Sequence, residues 1–259
     1  MSNRATIIDN MRTVFTSFGS IAAQLIPDQW RAQSLCPAWD MSGVVVHVTA
    51  VETVLLGWRP GGDNPFAAMP EAVRELVALN ISDLVERSHS VTAQRLAELA
   101  AMTDDEFEAP SITPVGPGTY GRFMAIREFD VWVHERDICV PLGIAGDDGG
   151  SAAEMALDEV HASIGFIVGK KVGLADGKGI AFELTGPVRR RLMAKVDGRA
   201  TRVEALPSPD VTLTMDSLTF MLLACGRIDP QGPIDDGRVT WSGDAELGAH
   251  AARHLAFTM

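Results

Sequence analysis

Asp130 and His134 stand four residues apart in the run Arg127-Glu128-Phe129-Asp130-Val131-Trp132-Val133-His134-Glu135-Arg136-Asp137. In a helix, positions i and i+4 leave the same face one above the other, so a carboxylate oxygen and an imidazole nitrogen can converge there on one metal ion. Two protein ligands rarely hold an ion. His47, in a second amphipathic stretch from Met41 to Trp58, is a candidate third. Two imidazoles and one carboxylate leave a fourth position open, the donor set of a catalytic rather than a structural zinc site. Each residue also has an ordinary reading. Asp-x-x-x-His arises by chance and is often just solvated, and an imidazole inside Val44-Val45-Val46-His47-Val48 is more often a satisfied core group than a ligand.

The neighbours of the pair argue for burial. Arg127, Asp130, His134 and Asp137 follow at steps of three, four and three, a single polar stripe. Ile126, Phe129, Val133 and Val140 border it on one side, Val131 and Ile138 on the other, and Phe123 closes it one turn earlier. A polar row flanked in this way faces inward, where a charge costs several kcal/mol unless it is paired or metal-bound. Arg127–Asp130 and His134–Asp137 pairing would satisfy part of that cost, and a metal more. Glu52, five residues after His47, is either a partner of this cluster or merely exposed.

Four long amphipathic segments are available to position these groups. Ile8, Met11, Val14, Phe18, Ile21 and Leu25 mark a helix over 5–26 that Pro27 ends. Asp40 or Ser42 caps a second, through Val44, His47, Val51 and Leu55, broken by Pro60 and Gly61-Gly62. A third helical region is expected from Pro70 to Met102, a loop over 109–118, and a fourth helix from Tyr120 to Val140 closed by Pro141 and Gly143. This is the pattern of an antiparallel four-helix bundle, whose sites are built from side chains on facing helices. Gly146-Asp147-Asp148-Gly149-Gly150-Ser151 reads as a linker, giving domains over 1–145 and 151–259. The second domain carries a helix over 152–172, strands at 180–184, 191–196, 201–205, 211–215 and 238–241, and helices at 217–224 and 245–255. That mixture is a small α+β domain.

Composition excludes several functions. Net charge is −12, with 10 Arg, no Lys and 20 Asp and Glu in residues 1–150. So acidic a chain is a poor match for a phosphate backbone or an anionic membrane surface. The start, Met1-Ser2-Asn3-Arg4, lacks an apolar leader run, and no segment is long and apolar enough to span a bilayer, so a cytoplasmic protein is expected. Cys36, Cys139 and Cys225 are too few and too scattered for a disulfide framework or a zinc knuckle and read as reduced, mostly core thiols.

Cys36-Pro37-Ala38-Trp39, His47 eight residues on, and Arg127-x-x-Asp130-Val131-Trp132-Val133-His134-x-x-Asp137 resemble the N-terminal domain of mycothiol-dependent maleylpyruvate isomerase family proteins, which are DinB-like metal-binding bundles. Leu184-Thr185-Gly186-Pro187, Cys225-Gly226-Arg227 and Trp241-Ser242-Gly243-Asp244 resemble the family's sterol-carrier-like C-terminal domain. The resemblance implies His47, Asp130 and His134 as ligands of a divalent metal of the zinc type, and mycothiol as low-molecular-weight thiol cosubstrate in an actinobacterial cytoplasm. The implied reaction is thiol-dependent isomerisation of, or transfer to, a small electrophile. Asp130 departs from the family's Glu, and with an arm one methylene shorter either the helix approaches the ion more closely, or the site is weaker or takes a different ion.

Arg227, after an apolar helix, is the candidate catalytic residue, reaching an interdomain cleft to bind a substrate carboxylate. Its ordinary reading is a surface Arg at a helix C-terminus. Arg189-Arg190-Arg191 reads as a solvated strand edge, Trp39 and Cys36 as core, and His89, His161, His250 and His254 as lacking ligand-spaced partners. The readings from other classes are a non-catalytic module that binds a metal or small ligand, and a metal-dependent hydrolase.

Overall fold

Side-chain caps start each long helix of the N-terminal half. Asn3, Asp40, Asn80 and Thr119 sit in extended backbone and accept hydrogen bonds from the amides of Thr6, Gly43, Asp83 and Arg122, each satisfying a donor the helix leaves orphaned. In chain order the elements are α1 (Arg4–Gln24), α2 (Pro27–Trp30), α3 (Met41–Leu55), a 3-10 turn (Pro65–Ala68), α4 (Met69–Val77), α5 (Ile81–Ala101) and α6 (Asp104–Glu108). The hairpin β1 (Pro110–Thr113) and β2 (Gly116–Thr119) then leads into α7 (Tyr120–Leu142). The structure is a computed structural model in which residues 3–258 are described. Met1 and Ser2, the start of the segment read above as lacking a leader run, lie outside the described residues. The chain divides into two compact units, Met1–Gly146 and Asp147–Met259.

In the first unit α1 packs on α5 and α7, and α3 packs on the same two helices, closing a four-helix bundle. Its core includes Met11 and Phe18 of α1, Val44, Val48 and Leu55 of α3, Leu84 and Leu99 of α5, and Tyr120, Phe123 and Val131 of α7, all buried. Burying each large apolar side chain is worth about 1.5–3 kcal/mol.

Three expectations change here. Residues 70–102 are not one helix, because α4 ends at Val77 and the Asn80 side chain restarts the chain as α5. Residues 109–118 are not an open loop. They pair as an antiparallel hairpin with Ser111 opposite Gly118, turning at Gly116, whose φ of 108° suits only glycine. Pro141 does not stop α7 but lies in its last turn, and the helix closes on Gly143 at φ 65°.

In the second unit, α8 (Gly150–Ala162), α9 (Ile164–Phe166) and a π-helical segment (Ile167–Val172) precede a mixed sheet ordered β5-β4-β3-β6-β7. The strands are β3 (Gly179–Thr185), β4 (Arg190–Asp197), β5 (Arg199–Arg202), β6 (Val211–Asp216) and β7 (Thr240–Gly243). Only β3 and β6 run parallel. Helices α10 (Ser217–Ala224), α11 (Gln231–Asp235) and α12 (Ala245–Arg253) complete the unit. Along β6, Val211, Leu213 and Met215 are buried and the threonines between them are not, the period-two pattern of a strand with one core face. The helix expected over 152–172 breaks at Ser163, and α11 had no counterpart in the sequence reading. The three-arginine cluster lies at a solvated strand edge as expected, since β5 pairs only with Ala194–Asp197 and, among the described residues, no strand covers the outer side of Arg190 and Arg191, while Arg189 and Arg191 are exposed. Arg191 pairs with Glu183, its directly opposite neighbour, and Arg190 with Asp158. All three cysteines are buried and none is in a disulfide, and no helix among the described residues is long and apolar enough to cross a membrane.

Candidate metal centre

His47 of α3 and Asp130 and His134 of α7 meet where those two helices pack, with one donor atom of each within 4.8 Å of the others. Asp130 Oδ2 stands 3.6 Å from His47 Nε2, and Oδ1 stands 3.7 Å from His134 Nε2. Donors around a tetrahedral ion with bonds of about 2.0–2.2 Å are separated by roughly 3.3–3.6 Å, so the two carboxylate–imidazole distances lie near that range, while the set as a whole, within 4.8 Å, has to draw together around an ion. His134 carries a further fitness for the role, because its Nδ1 is 2.8 Å from Asp137 Oδ2. A carboxylate accepting at Nδ1 favours the tautomer with its proton there, the one that offers an Nε2 lone pair to an ion on the cluster side.

The electrostatics suit a cation. Burial lowers the His47 pKa, with Asp130 opposing it in part, so the ring is a neutral donor near neutral pH. Burial would raise Asp130, but Arg127, followed by the two histidines, overrides it and holds the carboxyl well below its usual range. Arg127 Nη1 donates to Asp130 Oδ2 at 2.6 Å, while its Nε and Nη2 both donate to Glu52 Oε1, at 3.0 and 2.9 Å. Glu52, left open between a partner and an exposed group, is fully buried.

Trp39 was expected in the core. It is instead half-buried, stacked on His47 with ring centroids 4.6 Å apart and tilted on His134 at 5.6 Å. Pro141 explains part of how it gets there. Having no N–H, Pro141 cannot bond the carbonyl of Asp137 four residues back, and that carbonyl accepts from Leu35 N at 3.0 Å. The segment leading to Trp39 is thereby tied to α7.

The family models described as mycothiol maleylpyruvate isomerase N-terminal domain and MDMPI C-terminal domain match residues 11–139 and 154–250. The chain belongs to the mycothiol-dependent maleylpyruvate isomerase family. Crystal structures of the mycothiol-dependent maleylpyruvate isomerase, and of a histidine-to-alanine mutant of it, each align over 95% of this chain and 98% of theirs. Both do so at 17% identity and TM-score 0.63, a likeness of fold across both units. Curated protein sequences gave no match.

Within this maleylpyruvate isomerase-family bundle, two residues escaped the sequence reading. Arg95 is completely buried on α5 and Tyr120 starts α7. A signal for Arg95 existed, since it continues the buried row Leu84, Ser88, Val91, Leu99 at helical spacing. Arg227 lies in the other unit just beyond α10 and is buried rather than a surface group, its Nη1 donating to Cys225 O at 2.9 Å. His250 and His254 stack on each other at 4.1 Å, and among the described residues only His47, Asp130 and His134 form a cluster with metal-ligand geometry.

Proposed function

We propose that this chain is a metal- and mycothiol-dependent enzyme acting on a small electrophile, as isomerase or thiol transferase, with the ion held by His47, Asp130 and His134. The observation carrying this reading is the convergence of two imidazole nitrogens and a carboxylate within 4.8 Å inside the family's N-terminal bundle. A divalent ion bound there supplies the Lewis acidity that keeps a coordinated thiol deprotonated near neutral pH. Asp137 holds the His134 tautomer, Arg127 holds Asp130 ionised, and Trp39 walls the two imidazoles. Arg227 is assigned to bind a substrate carboxylate, a role its fixed fork of donors suits.

In the isomerase reading, thiolate adds to one carbon of an activated cis double bond, and the adduct rotates about the resulting single bond. Expulsion of the same thiolate restores the double bond in trans geometry, so the thiol is regenerated and no redox partner is required. In the transferase reading the thiolate displaces a leaving group and stays on the product. The zinc-loaded protein should be assayed with mycothiol against cis-unsaturated diacids and alkylating electrophiles. Conversion that requires both thiol and metal is expected. Hydrolysis without thiol, or binding without conversion, overturns the reading in favour of a hydrolase or a binding module.

A further inference from the structure

We propose that a buried charge array on three helices, Arg95–Glu52–Arg127, is a positioning device that sets the plane of the Asp130 carboxylate for metal binding. This rests on the reading of His47, Asp130 and His134 as ligands. An aspartate carboxylate is free to turn about its last torsion, and one turned away from the two Nε2 atoms would be a poor third donor. Here Oδ2 is pinned by Arg127 at 2.6 Å, and with the plane set, the two oxygens fall 3.6 and 3.7 Å from the histidine nitrogens.

Arg127 is itself immobilised. Its Nε and Nη2 close on the same oxygen of Glu52, which fixes the guanidinium plane and leaves Nη1 for Asp130. The other Glu52 oxygen accepts from Arg95 Nε at 3.2 Å. Arg95 is anchored in turn by Glu98 at 2.7 Å, the Tyr120 hydroxyl at 3.1 Å and Met124 Sδ at 3.7 Å. Arg95 and Glu52 have no solvent exposure, and the Arg127 side chain only 6%. For stability alone such an array is a poor choice, since apolar residues of similar volume commonly do as well or better than buried ion pairs. Its geometry accounts for a different benefit, because the other five guanidinium nitrogens of Arg95 and Arg127 are engaged in bonds that hold Arg127 Nη1 against Asp130.

The test is Glu52→Gln, which keeps the shape but removes the charge between the two guanidiniums. Zinc affinity by chelator competition is expected to fall about 10–100-fold, the usual scale for residues that orient a metal ligand. The visible spectrum of the cobalt(II)-loaded protein should change as the carboxylate donor shifts. In an Asp130→Asn background, Glu52→Gln should cost little further affinity, because the two act through one carboxylate. Arg127→Lys, which retains the charge but can hold only one of the two carboxylates, should lower affinity in the same direction and serves if Glu52→Gln fails to fold. Folded variants that keep wild-type zinc affinity and cobalt spectrum overturn the proposal, as does an undiminished cost in the Asp130→Asn background. A wild-type chain that takes up no ion overturns the metal reading itself, a distinct outcome.

Discussion

Replacing Asp137 by Asn perturbs one atom of a side chain that lies outside the donor set. His134 Nδ1 is 2.8 Å from Asp137 Oδ2, with the aspartate side chain fully buried and the imidazole 6% exposed. A carboxylate that accepts there favours, for the neutral ring, the tautomer with the proton on Nδ1 and the lone pair on Nε2. An Asn can turn its NH2 toward Nδ1. The ring proton then moves to Nε2, where it points at the cluster and abolishes the donor. If Asn presents its oxygen instead, the tautomer survives but the charge that raises imidazole basicity is lost. Both outcomes weaken zinc binding, by about 10–100-fold on the scale of such partners, or about 1.4–2.7 kcal/mol. Competition against a chromophoric chelator near neutral pH measures this, with circular dichroism of the metal-free protein confirming the fold. An affinity within about twofold of wild type would refute the argument, since loss of a partner of this kind should be felt.

Two further outcomes follow from the buried titratable groups. Burial sets the folded His47 pKa below its ordinary value of 6.5, so between the two pKa values the unfolded chain binds the proton more readily. The stabilisation from neutral His47 is therefore complete above 6.5 and is lost as pH falls through the folded value. An NMR titration of metal-free protein should give His47 a midpoint below 6.5, and one above it contradicts the burial argument. On another face of α7, Glu128 is buried with no hydrogen-bond partner for either oxygen, and burial pushes its carboxyl well above 4.5, against a smaller opposing effect of Arg136. A raised carboxyl pKa penalises the fold as pH rises past 4.5, so Glu128→Gln should stabilise the protein near pH 7 by about 1–3 kcal/mol. That gain should shrink toward pH 4.5, as read by urea unfolding, and a less stable variant near neutral pH would contradict it.

Much of this architecture was legible because local chemistry and burial agree. Asp40 caps α3 as its position before an apolar run implies, and the three-four-three stripe of α7 does face inward, with Arg127, His134 and Asp137 buried. The stripe showed which groups need partners but not which partners they find. Glu52 and Arg95 lie 75 and 32 residues from Arg127 in the chain, and their pairing is created only by packing α3 and α5 against α7. Trp39 was misjudged for a related reason. Its place depends on the carbonyl of Asp137, 98 residues later, which Pro141 leaves without a helical donor and which Leu35 N takes up. Asn80 was readable as a cap but was submerged in a continuous helical pattern, and the 110–119 hairpin was obscured by Pro110, Pro117 and two glycines that resemble loop composition.

The central claim is that His47, Asp130 and His134 together hold one divalent ion. Elemental analysis of purified protein, after zinc loading and desalting, tests it directly when wild type is compared with His47→Ala, Asp130→Ala and His134→Ala. The account predicts one ion per wild-type chain and loss of the ion in each correctly folded variant. Full metal content in the His47→Ala and His134→Ala variants would contradict it.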